Sequence, residues 1–207
     1  MTMRWLIAVL VILLGFKSQG QSVSEELTAE GRHLFEQSLY SESLQKLTQA
    51  IKYDESYGPA YLVRGVIKRE LGDIQGALKD LNTVIRLDSK NAEAYLERGN
   101  VKFQMQDFEG AVKDYSSCIE LSPNNIDAYY KRGRAKLQMD SYSDAIKDCD
   151  RVININAQNE DAYFLRGIIK IEYGMVSEGC RDLSIAGEMG DLKAFEEIKK
   201  HCQNIEY

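Results

Sequence analysis

Ala94-Tyr95-Leu96-Glu97-Arg98-Gly99 is the stretch that decides the fold. Ala60-Tyr61-Leu62-Val63-Arg64-Gly65 precedes it, and Ala128-Tyr129-Tyr130-Lys131-Arg132-Gly133 and Ala162-Tyr163-Phe164-Leu165-Arg166-Gly167 follow. The copies begin at residues 60, 94, 128 and 162, a constant step of 34, and a Lys follows each Gly at Lys68, Lys102, Lys136 and Lys170. A fixed period of this size marks a solenoid, in which a unit buries its apolar face only against its neighbours.

Each unit resolves into two helices. In residues 92–125 a first helix is expected from Ala92 to Met105, a turn at Gln106-Asp107-Phe108, and a second helix from Glu109 to Leu121. Asn91, Asn125 and Asn159 are placed to cap first helices, and Asp73, Asp107 and Ser141 second ones, because their side chains accept from free backbone N–H groups. Pro123 ends a second helix. Gly31 and the helical spacing of Tyr40, Leu44, Leu47 and Ile51 give residues 21–57 the look of a degenerate first unit.

Counted from residues 24, 58, 92, 126 and 160, these units resemble the tetratricopeptide repeat. Place 4 holds Tyr61, Tyr95, Tyr129 and Tyr163. Place 8 holds the repeated Gly, and place 20 holds Ala77, Ala111 and Ala145. Place 24 holds Leu81, Tyr115 and Leu183, and the Pro at place 32 survives as Pro123. The resemblance implies an all-α fold, a right-handed superhelical solenoid of stacked antiparallel helix pairs. Its units are 21–57, 58–91, 92–125, 126–159 and 160–191, closed by a capping helix in 192–207. The small glycines let paired helices approach, so Gly99→Leu is expected to wedge a pair apart.

The chain departs from the family pattern in charge. Place 7 is Arg64, Arg98, Arg132 and Arg166, place 11 is the repeated Lys, and place 23 is Asp80, Asp114, Asp148 and Asp182. Places 7 and 23 should face each other across the hairpin. The first unit inverts the signs with Glu30 and Lys46. A ladder of ion pairs between the helices is therefore expected.

At the N-terminus, Met1 to Arg4 is a basic start, Trp5 to Phe16 an apolar run, and Ser18 and Gly20 offer small residues for cleavage. Residues 1–20 read as a secretory signal peptide with the mature chain starting at Gln21. The run falls short of the roughly 20 residues of a membrane span, although a retained anchor is the rival reading. The expectation is a secreted or periplasmic protein with no membrane insertion after cleavage.

At the other end, Ala186-Gly187-Glu188-Met189-Gly190 is expected to end the last second helix early. Leu192 to Cys202 then forms the cap. Cys180 on the last repeat and Cys202 on the cap are candidates for a disulfide, permitted in an exported chain. Cys118 and Cys149 fall on core faces and read as buried free thiols.

The composition, 44% apolar and 28% charged, supports a packed core. The net charge of −6 disfavours nucleic acid and anionic lipid, which need a basic face. The cysteine spacing fits no metal site. Neither histidine carries a reaction: His201 and Cys202 are adjacent on a helix and point apart, and His33 reads as a surface residue. No phosphate-binding glycine loop, carboxylate pair or Ser-His-Asp set stands out. No catalytic, cofactor or metal site is therefore expected, and an enzyme is the remote alternative.

In the repeat family the concave surface is lined by the first helices. Carried over, this implies a partner-binding groove of Leu62, Val66, Arg69, Leu96, Asn100, Phe103, Tyr130, Arg134, Leu137, Phe164, Ile168 and Ile171. Such an apolar stripe fits an extended or helical peptide of a partner protein. The family's carboxylate clamp needs Lys at place 5 and Asn at place 9 of its first unit. Leu62 and Val66, or Thr28 and Arg32, stand there instead, so that clamp is absent. The alternative in another class is a scaffold subunit of a cell-envelope assembly, contacted through its convex face.

Overall fold

The computed structural model describes residues 21–202; the expected leader and residues 203–207 lie outside the described residues. The described chain is helical throughout, with no strand. Residues 21–36 form α1. They are followed by α2 (Tyr40–Tyr53), α3 (Gly58–Glu70), α4 (Ile74–Leu87), α5 (Ala92–Gln104) and α6 (Phe108–Leu121). Next come α7 (Ile126–Leu137), α8 (Tyr142–Ile155), α9 (Glu160–Glu172), α10 (Val176–Glu188) and α11 (Leu192–His201). The chain divides into two compact units, one ending at Val101 and the other beginning at Lys102.

Local chemistry sets the helix starts. The side chains of Asn91, Asn125 and Asn159 accept from the backbone N–H of Ala94, Ala128 and Ala162 at 2.9, 2.8 and 2.8 Å. Asp73 and Asp107 accept from Gly76 and Gly110 at 3.0 and 2.9 Å. Ser141 departs from this expectation. It stands at the N-cap of α8 without a side-chain cap bond, because its hydroxyl turns back to the Met139 carbonyl. The helix boundaries are displaced by one residue from the sequence reading, with α5 ending at Gln104 and α6 opening at Phe108.

Within the first unit α3 packs on α2 and α4; within the second, α6 through α11 pack each on the next. The core follows that order. Leu47 and Ala50 of α2 meet Ala60, Val63 and Ile67 of α3. Ala145 and Cys149 of α8 meet Leu165 and Ile169 of α9. Each cluster joins the second helix of one repeat to the first helix of the following repeat. With about 1.5–3 kcal/mol for each large side chain buried, a single hairpin therefore loses the stability that these contacts contribute.

The last hairpin is closely packed. A Cβ on Gly179 would lie 2.6 Å from the Gly167 carbonyl oxygen, so the Gly that replaces Ala at place 20 permits backbone-to-backbone approach. This helix ends within Ala186–Gly190 as expected: its last residue is Glu188, one place of the repeat earlier than the ends of α4, α6 and α8, and the left-handed Gly190 (φ 112°) follows. Ala186 is buried under α11 with Ala194. The lack of a side chain on Gly187 makes room for the Phe195 ring, whose Cζ would stand 3.1 Å from a Cβ there.

Candidate functional site

The repeated charges form a built network on the inner side of each hairpin. Arg64 grips Asp80 with Nε to Oδ2 and Nη2 to Oδ1, both at 2.8 Å. Arg132 grips Asp148 at 3.0 and 2.6 Å, and Arg166 grips Asp182 at 2.8 and 2.6 Å. In the first repeat Lys46 pairs with Glu30. The four aspartates are buried, and bidentate geometry is the strong form of such a pair.

Sequence reading missed three partners of this network. The repeated Lys points to the repeated Asp: Lys68 to Asp80, Lys102 to Asp114, Lys136 to Asp148 and Lys170 to Asp182, at 2.7–2.8 Å. Spacing could have shown this, since places 7 and 11 are one helical turn apart. The repeated Tyr lies under the guanidinium, with Arg64, Arg98, Arg132 and Arg166 centred 5.3–5.5 Å from the rings of Tyr61, Tyr95, Tyr129 and Tyr163. The remaining guanidinium nitrogen reaches back to the preceding repeat, to Thr48, Asn82, Ser116 and Asp150. Burial alone would lower the pKa of Arg166, but hydrogen bonds to Asp182 and Asp150 raise it above its ordinary value.

This network sets each first helix, and with it the residues expected to line a groove. In the first unit Leu62 does not line an open surface. It is 6% exposed and packs with Ala77, Leu81 and Val84 of α4, the second helix of its own hairpin. Val66, Leu96 and Asn100 are half-buried. Arg69 is drawn to Glu97 at 3.2 Å.

In the second unit Phe103, Tyr130, Leu137, Phe164, Ile168 and Ile171 are all half-buried, with one side of each still reachable. Tyr130 and Leu137 lean on the α8–α9 cluster, and Phe164, Ile168 and Ile171 on the α10–α11 cluster. The exposed Arg134 lies over the Phe103 ring at 5.4 Å, joining two first helices. Burial, followed by the charge of Asp161, pushes the Tyr130 hydroxyl pKa up.

Cys180 and Cys202 form a disulfide between α10 and the end of α11. Cys118 and Cys149 are free and buried. Burial raises both thiols, Cys149 to about 12, so neither is a nucleophile at neutral pH. Among the described residues no group of His, Cys, Asp and Glu is placed to hold a metal ion, and no helix is long and apolar enough to cross a membrane. His33 is exposed beside Gln37, and His201 faces Glu197 at 3.3 Å.

The chain matches the family model described as TPR repeat over residues 65–106 and 99–140, and the one described as Tetratricopeptide repeat over residues 126–159. It resembles the crystal structure of MamA with 24% identity and a TM-score of 0.73, over 80% of this chain and 96% of that one. MamA from Desulfovibrio magneticus RS-1 superposes with a TM-score of 0.75 at 14% identity, over 88% and 97%. YrrB, described as a TPR protein with an unusual peptide-binding site, has 16% identity and a TM-score of 0.73 over 84% and 90%. No curated protein matches the chain. At these identities the structural likeness concerns fold, and the family match concerns sequence. On the family match residues 65–159 are tetratricopeptide repeats, and the structural likeness extends the fold of such repeats along the described chain.

Proposed function

We propose that the chain is an exported, non-catalytic binding module that takes a peptide or a segment of a partner protein against its first helices. The observation that supports this is the second unit's row of half-exposed Phe103, Tyr130, Leu137, Phe164 and Ile168, with Arg134 exposed above Phe103. Aromatic and Arg side chains on a preorganised face are the residue types that carry interface energy. The rigid helices beneath them lower the entropic cost of binding. The peptide-binding site described for YrrB lends support by analogy of fold. Val66, Arg69, Leu96 and Asn100 are the corresponding candidates of the first unit; Leu62 is withdrawn because it is core. The leader pattern and the Cys180–Cys202 bond support export, since disulfides persist in oxidising compartments.

Crosslinking in the native envelope followed by mass spectrometry identifies the partner. Tyr130→Asp and Phe164→Asp are then expected to abolish its recovery while leaving the circular dichroism spectrum unchanged. Full recovery with both variants overturns groove binding and favours a scaffold held by its other face. Export is checked separately: the mature protein should begin at Gln21, and one retaining Met1 overturns cleavage.

A further inference from the structure

The turns between first and second helices in the second unit, residues 104–110, 138–144 and 172–178, carry an apolar row that the core does not use. Met105 is 43% exposed, Met139 37% and Tyr173 52%. The three stand at the same place of the repeat, each just beyond its first helix. Tyr142 of the middle turn stacks on Tyr173 of the last at 5.6 Å, so the row is continuous between those two turns. The turns do not need these side chains. Backbone bonds close them, from Asp107 N–H to Lys102, Ser141 N–H to Lys136 and Met175 N–H to Lys170, at 2.9, 2.9 and 2.7 Å.

The same segments contain no Lys or Arg, and they expose Asp107, Glu109, Asp140, Asp144, Glu172 and Glu178. Four of these have a local reason. Asp107 caps α6, and Glu109, Asp144 and Glu178 lie in first turns, where the helix dipole favours a carboxylate. Asp144 also pairs with Lys147, and Glu178 stands 4.0 Å from Lys170. Glu172 has the opposite placement. It is the last residue of α9, where the dipole disfavours negative charge. Asp140 occupies a left-handed turn position and accepts from the Tyr142 hydroxyl at 2.8 Å, which holds a carboxylate beside the aromatic pair.

An exposed apolar row on turns whose own charges are all acidic selects its occupant by charge. Nucleic acid and anionic lipid are repelled. We propose that this turn edge docks a Lys- and Arg-rich amphipathic segment of a partner protein. Its apolar side lies on Met105, Met139 and Tyr173, and its cations lie against Asp140, Glu172 and their neighbours. Methionine side chains adapt to varied apolar partners, and Tyr173 offers a ring face to a cation. This edge is distinct from the first-helix face of Tyr130 and Phe164, so one protein can hold two segments at once.

The test is calorimetric titration of the purified protein with a synthetic amphipathic Leu/Lys peptide and with the same peptide carrying Glu in place of Lys. Saturable binding of the Lys peptide alone is expected, weakening as salt rises. Met139→Ser with Tyr173→Ser should weaken it about tenfold. Glu172→Gln with Asp140→Asn, which keep the side-chain shapes, should weaken it several-fold and flatten its salt dependence. Tyr130→Ser should leave it unchanged. Equal binding of the Glu peptide, wild-type affinity in both turn variants, or an equal loss with Tyr130→Ser overturns the proposal. If the Ser pair lowers the melting temperature, the Gln and Asn pair decides the matter alone.

Discussion

Asp148 is buried beneath two cations, with Arg132 Nη2 at 2.6 Å and Lys136 Nζ at 2.7 Å. Removing the carboxylate leaves both without a counter-charge, a change that costs more than the pair itself contributes. Asp148→Ala is expected to destabilise the protein by roughly 3 kcal/mol in urea unfolding. A loss of under about 0.5 kcal/mol would mark the network as solvated surface charge. Exchanging the signs, Arg132→Asp with Asp148→Arg, should recover little, because Lys136 then faces a like charge. Thr28 is the converse case. It is buried, and its hydroxyl has no hydrogen-bond partner among the described residues. Thr28→Val keeps the shape and removes an unpaired polar atom, so the urea midpoint should rise, by about 1 kcal/mol in stability. A fall in that midpoint would mean that the hydroxyl is satisfied in solution. Burial raises the Cys149 thiol from 9.0 to about 12. Between those values the unfolded chain releases its proton and the folded chain keeps it, so stability falls as pH rises across that window. The decline should be shallower in Cys149→Ala, and equal slopes would refute the linkage.

Each hairpin turns through one left-handed residue at place 15: Ser38, Gly72, Gln106, Asp140 and Gly174, with φ of 62, 82, 60, 54 and 90°. The N–H that follows it bonds to a carbonyl five residues back, as in Asp73 to Lys68 and Asp107 to Lys102. That is the Schellman ending of a helix, which suits Gly because any Cβ there crowds the backbone. Gly72→Ala should therefore cost about 1 kcal/mol. Gln106→Gly should gain roughly 0.5 kcal/mol, relief of the crowded backbone outweighing the added freedom of the unfolded chain. Thermal melts check both, and a lower melting temperature for Gln106→Gly would mean that Gln106 makes a compensating contact.

Stability of the whole chain depends on contacts between neighbouring repeats. Arg64, Arg132 and Arg166 each reach the preceding repeat while holding their own second helix, as when Arg132 donates to Ser116 and to Asp148. After the repeat of α9 and α10, α11 covers Cys180, Leu183 and Ala186 with Ala194 and Cys202. The Cys180–Cys202 bond ties this cover down over a sequence separation of 22. Cys202→Ser is expected to lose about 3 kcal/mol on the chain-entropy account. Amide exchange should quicken first in α11 and α10, where helical order depends on the tie. An even acceleration across all helices would show that the cap is not a separate element.

The sequence by itself determined the period, the two helices of each repeat and the opposition of Arg and Asp across the hairpin. These are local patterns, and four in-register copies repeat the same statement, so one reading is checked by the others. The caps at Asn91, Asn125 and Asn159 were legible for the same reason, since a cap bond spans three residues. Only the tertiary structure decided which of the first-helix residues remain open. Leu62 and Phe164 occupy the same place of the repeat, yet Leu62 is core and Phe164 is half-buried, because burial depends on packing that the repeat pattern does not specify. The left-handed turn residues, the repeated Lys on each Asp and the Arg contact to the preceding repeat were decided there as well. Backbone angles in a turn and the direction of a long side chain arise from packing between segments that sequence order leaves apart.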